Sequence, residues 1–146
     1  MSNAPVSPGG WRRVLSAAAI YFLIVFAVGF FLGPIRVLWL EPWLGRTLAV
    51  LCETPFLIGA MWLGARWAPA WVKLEHGWWR RLVMGAVALA LQQTADLAVG
   101  FGLRGMTLSE QVAYFTTPPG LIYLATLIVF TTMPLIAAPR APRRET

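Results

Sequence analysis

TLAVLCETPFLIGAMWLGA, residues Thr47–Ala65, and LVMGAVALALQQTADLAVGFGL, residues Leu82–Leu103, read as membrane-crossing helices, and each carries one acid, Glu53 and Asp96. A carboxylate in the middle of a bilayer costs about 2.5–3.5 kcal/mol on insertion scales, so such a residue normally faces a protein interior. The pair marks where function or architecture departs from plain hydrophobic packing.

Working outward, two further apolar runs, Val14–Leu32 and Leu121–Ala138, have similar length. At 1.5 Å rise per residue, each run spans the roughly 30 Å of bilayer hydrocarbon. The chain is 58% hydrophobic and 12% charged over 146 residues, with mean hydropathy +0.66. Soluble domains carry about 25% charged residues. The expected fold is therefore an all-α, four-helix transmembrane bundle over 11–138, with spans near 14–32, 47–65, 82–103 and 121–138. Arg12 and Arg13 precede the first run as in a signal peptide, but its 19 residues exceed the roughly 7–15 of an h-region. It reads as a retained helix.

A net charge of +6 in a soluble chain would point to nucleic acid. Here the charges follow the spans, and no nucleic-acid partner is expected. Nine basic residues fall on one side (Arg12, Arg13, Arg66, Lys73, Arg80, Arg81, Arg140, Arg143, Arg144) and three on the other (Arg36, Arg46, Arg104). By the positive-inside rule both termini are cytoplasmic. Eleven of the twelve basic residues are Arg, which with the Ala, Gly, Pro and Trp content points to a bacterium with a GC-rich genome and hence to its inner membrane. All eight Trp lie at or near span ends, as in an aromatic belt.

Residues 1–10 read as a disordered cytoplasmic arm and 139–146 as a basic cytoplasmic tail. The first outer loop, Gly33–Arg46, is apolar and aromatic; it is expected to continue helix 1 or to form a short interfacial helix that breaks at Glu41–Pro42. Arg66–Arg81 reads as a cytoplasmic interfacial segment suited to anionic headgroups. Thr107-Leu-Ser-Glu110 has the pattern of a capping box opening a short helix through Phe115, which Thr116–Gly120 ends before span 4.

The two acids fall at similar depth, each about seven residues, or roughly 10 Å, from the outer end of its span. Ala49, Glu53, Ala60 and Gly64 share one stripe of helix 2, and Gly85, Ala88, Gln92, Asp96 and Gly100 one stripe of helix 3. Small residues beside polar ones mark a packed helix face in lipid. The expected partners of Glu53 and Asp96 are Arg36, Arg46, Gln92 and Gln93, with helices 2 and 3 expected as neighbours. Pro55 removes a backbone hydrogen bond beside Glu53 and is expected to break helix 2. Gly29 and Gly33 form one GxxxG.

Several chemistries lack their residues. His76 is the only histidine and lies in a loop, Cys52 is the only cysteine, and neither GxSxG nor HExxH occurs. No catalytic residue, metal or cofactor is expected. Gly33-Pro-Ile-Arg-Val-Leu-Trp39, Pro42, Gly45 and Glu53-Thr-Pro55 resemble segments of a group of small four-helix bacterial integral membrane proteins. That resemblance implies the same architecture over most of the chain and points to Arg36, Glu53, Pro55 and Asp96, but it brings no activity. The leading expectation is a non-enzymatic accessory or helper protein whose polar cluster locks the bundle, in a homo-oligomer or a larger membrane complex. The alternatives are a small oligomeric proton, ion or small-molecule transporter using Glu53 and Asp96 and, third, an intramembrane lipid- or ligand-binding protein or enzyme.

Overall fold

A computed structural model describes residues 8–139 of the chain. They form five α-helices: α1 (Pro8–Ile35), α2 (Glu41–Trp71), α3 (Trp78–Gly102), α4 (Leu108–Tyr114) and α5 (Pro118–Ile136), with a π-helical segment, Arg36–Leu40, between α1 and α2. Among the described residues there is no strand, and three helical runs are long and apolar enough to cross a membrane: Gly9–Trp71, Trp78–Gly102 and Pro118–Ile136. The chain is a helical membrane protein.

The first run covers 63 residues, which if straight would extend about 95 Å. It turns back at Gly45, whose φ of 77° and ψ of 162° lie in a region that essentially only glycine occupies. The break therefore falls at Gly45, not at the expected Glu41–Pro42. Pro42 lies inside the continuous helical run, two residues into α2, and its missing N–H is accommodated there without a break. The expected break at Pro55 is also absent: Gly45 is the non-helical residue inside α2, and the helix runs on through Pro55. Thr54 Oγ1 donates to Val50 O at 2.9 Å one turn below, while the carbonyl of Leu51 loses its helical donor.

Two more boundaries differ from the sequence reading. α2 stays helical to Trp71, with Trp67 and Trp71 stacked at 6.4 Å, so the interfacial segment shrinks to residues 72–77. α5 begins at Pro118, because Thr117 caps it by accepting from Gly120 N at 3.2 Å and Pro118 suits a first turn. The Thr107 capping box is present, with Thr107 N donating to Glu110 Oε2 at 2.7 Å. Most of the expected arm (1–10) and tail (139–146) lies outside the described residues; residues 8–10 belong to α1.

The four long helices form a ring in the order α1, α2, α5, α3. α2 and α3 stand on a diagonal, each packed on α1 and α5, which corrects the expectation that they are neighbours. Across the other diagonal, Tyr21 stacks on Phe130 with ring centroids 4.7 Å apart, and its hydroxyl donates to Phe130 O at 2.7 Å. These two side chains, with Met84, Met61 and Ala88, fill the core. Close approach is set by glycines. A Cβ on Gly64 would lie 3.0 Å from Tyr21, and one on Gly85 would collide with the Thr131 carbonyl. The GxxxG of α1 makes no tight crossing, since a Cβ at Gly33 would meet nothing within 4 Å.

Candidate functional site

The polar residues collect at the Gly45 end of the bundle in two clusters. Folding back at Gly45 brings residues equally far from the hinge to one level. Arg36 precedes Gly45 by nine residues and Glu53 follows it by eight, and Arg36 Nε lies 2.7 Å from Glu53 Oε2. This is an ion pair rather than an aligned hydrogen bond, because the Nε–H finds no acceptor in line. Arg36 Nη1 bonds Glu41 Oε1 on its other side. Both members of the Arg36–Glu53 pair are largely buried, with side chains 13% and 11% exposed. Arg46, expected beside Glu53, instead has its Nε 3.8 Å from Glu41 Oε2. Glu41, at the start of α2, lies five residues before Arg46 across the hinge.

The second cluster joins α3 to α5. Asp96 accepts from Gln92 Nε2 at 3.0 Å and from the Tyr123 hydroxyl, and Gln93 Nε2 donates to Tyr123 at 3.4 Å. Gln92 Oε1 is buried with no partner among the described residues. Thus the sequence-predicted residues separate into Arg36–Glu53 with Glu41 and Arg46, and Asp96 with Gln92 and Gln93. The structure adds Glu41 and Tyr123. Glu41 was visible as the acid between two arginines, whereas Tyr123 had no signal beyond an aromatic ring in an apolar span.

By residue count along the helices the acids fall at similar distances from the opposite end. Glu53 lies 18 residues before Trp71 and Asp96 lies 18 after Trp78, about 27 Å along each helix from the opposite end. Arg104 acts on both through space. On α4, the half-buried Tyr114 lies within the field of Arg36, Arg46, Arg104 and Glu41; burial pushes its phenol above the usual value and the three arginines draw it part of the way back.

Between Arg36, Glu53 and the apolar side chains of Leu32, Leu40, Cys52 and Phe56 lies a cavity of about 250 Å³. Beyond it the hinge forms an apolar knuckle. Trp39 is 73% and Trp43 89% exposed, with Leu38 beside them. A π-helical turn in a long helix commonly accompanies a functional position, and here it carries Arg36 at its first residue and Trp39 near its end. The chain matches no family model, no curated protein and no solved structure.

Proposed function

We propose that the protein is a non-enzymatic accessory subunit of the bacterial inner membrane, docking through its Gly45 knuckle onto a larger membrane partner. The observation that carries this reading is the knuckle itself: Leu38, Trp39 and Trp43 present outward-facing apolar side chains around the hinge. Exposed apolar patches of this kind mark interaction sites. The Arg36 ion pairs hold that surface in one orientation. The charges of Arg36, Glu41, Arg46 and Glu53 are spent on one another, which suits a lock better than a reaction centre.

The same reading has four spans, α1, α2, α3 and α5, with both termini cytoplasmic. Charge supports it. Among the described residues, Arg12, Arg13, Arg66, Lys73, Arg80 and Arg81 against Glu75 gather at the end where α1 starts and α5 stops, while Arg36, Arg46 and Arg104 face Glu41, Glu53, Asp96 and Glu110 at the other. With Trp71 and Trp78 at the inner headgroups, Glu53 and Asp96 reach the outer boundary of about 30 Å of hydrocarbon. The knuckle, up to about 13 Å beyond Arg36 along the helical run, then stands among the outer headgroups and above them.

Photo-crosslinking amino acids at Leu38, Trp39 and Trp43 in native membranes test this directly. The reading expects a discrete adduct with one larger membrane protein, lost in Trp39→Ser/Trp43→Ser. Adducts with lipid alone would sink it.

A second reading is favoured by the cavity beside Glu53 and by the Gln93–Tyr123–Asp96 hydrogen-bond chain. In it an oligomer moves protons, ions or small molecules through these acids. Proton flux in liposomes that disappears in Glu53→Gln would support it.

A further inference from the structure

The opposite end of the bundle holds a cation whose surroundings are incomplete. Arg81, in the first turn of α3, is only 7% exposed. Its Nη1 donates to the Pro134 carbonyl at 3.1 Å. That bond completes the end of α5: Ala137 N takes the Met133 carbonyl, Ala138 N takes that of Leu135, and Arg81 supplies the donor for the carbonyl between them. Capping explains one edge of the guanidinium.

It does not explain the charge. Among the described residues Arg81 has no carboxylate partner, and the charge that acts on it is a second cation, Arg66 of α2. Burying an ion without a counter-charge costs several kcal/mol. The one acid at this end among the described residues, Glu75, is already paired with Arg80 at 2.6 Å. Nor is the remaining edge sealed. Among the described residues Arg81 Nε and Nη2 make no hydrogen bond, and neither is one of the fully buried unpartnered atoms, Arg36 Nε, Gln92 Oε1 and Gln111 Nε2, so each keeps some exposed surface.

We propose that Arg81 and Arg66 form a seat for the phosphate of an anionic phospholipid, held between α2, α3 and α5. A planar guanidinium fork matches two phosphate oxygens, and a second arginine doubles the attraction. The surroundings fit a lipid rather than a free ion. Arg66 lies over the Trp62 ring, 5.1 Å from its centroid, and Trp67, Trp71, Trp78 and Trp79 are all exposed around this end. Indole rings so placed sit at headgroup level. Basic pockets between helices on the cytoplasmic side are where acidic headgroups bind.

The test uses full-length protein in detergent, titrated with phosphatidylglycerol, phosphatidylcholine or inorganic phosphate while the unfolding midpoint is followed. Phosphatidylglycerol raises the midpoint, and the other two do not. Arg66→Gln, which leaves the α5 cap intact, weakens the apparent phosphatidylglycerol affinity about fivefold, the factor for one basic residue at a membrane surface. Arg81→Gln abolishes the selective increment. Equal stabilisation by phosphatidylcholine, full reproduction by inorganic phosphate, or unchanged selectivity in Arg66→Gln would overturn the proposal. So would a selectivity that emerges only in Glu145→Gln, since the chain's own tail carboxylate would then own the seat.

Discussion

Arg36 and Glu53 meet at 2.7 Å from opposite sides of Gly45, so one charge pair fixes the height at which the two arms of the first hairpin face each other. Deep ion pairs contribute little against well-packed apolar replacements, but breaking one by removing a single partner is strongly unfavourable. That asymmetry makes the lock testable.

Tyr123→Phe removes the hydroxyl that serves Asp96 and Gln93. The expected loss is about 1–3 kcal/mol, the usual penalty for leaving a buried acceptor unpaired. Asp96→Asn in the Tyr123→Phe background should lose less than the sum of the single changes, because a neutral amide needs that donor less. Thermal unfolding of the four variants measures the coupling.

Glycine substitutions should separate tight crossings from open ones. Gly85→Ala forces a methyl into the Thr131 carbonyl, and Gly120→Ala into that of Tyr114. Both should lower the unfolding midpoint by several degrees or prevent folding. Gly33→Ala, with nothing within 4 Å, should be neutral or slightly stabilising. The contrast is read in one thermal-shift series.

The α4 cap should be sensitive to acid. Hydrogen bonds from the Thr107 backbone and hydroxyl hold the Glu110 carboxyl below its usual range. A depressed native value means the stabilisation is complete above the unfolded value, about 4.3. It is lost as pH falls through the lower native one. Amide exchange in Leu108–Tyr114 should therefore accelerate below that range in the wild type. Glu110→Gln should remove the pH dependence.

Trp43, exposed at the hinge beyond the spans, is a natural site for a probe of orientation. In intact cells with a permeabilised outer envelope, Trp43→Cys in a Cys52→Ser background should react with thiol reagents without inner-membrane disruption. A cysteine placed at His76 in a Cys52→Ser background should react only after disruption. The reverse pattern would invert the topology.

Much of this was legible in the sequence, and for identifiable reasons. Hydropathy over Thr47–Ala65 and Leu82–Leu103 located helices, and the Thr107–Glu110 spacing located a cap, because both are local signals. Arg36 was legible as the partner of Glu53 because the hairpin places them on one level. The ring order was not: chain succession made α2 and α3 neighbours, whereas packing sets them on a diagonal. Arg46 was misassigned because Glu41 competes for it across a turn that Gly45 creates. Tyr123 and Arg81 were missed for one reason. A tyrosine in an apolar run resembles a lipid-facing ring, and an arginine at a span end resembles an interfacial charge, until a neighbouring helix supplies the acceptor.

The central claim, that Arg36 and Glu53 lock the hairpin, is tested most directly by a double-mutant cycle on unfolding free energy. Arg36→Gln alone should lose about 3 kcal/mol by leaving Glu53 unpaired, and Arg36→Gln/Glu53→Gln should recover at least 1 kcal/mol of it, about the scale of coupling between contacting residues. Strictly additive losses would contradict the account.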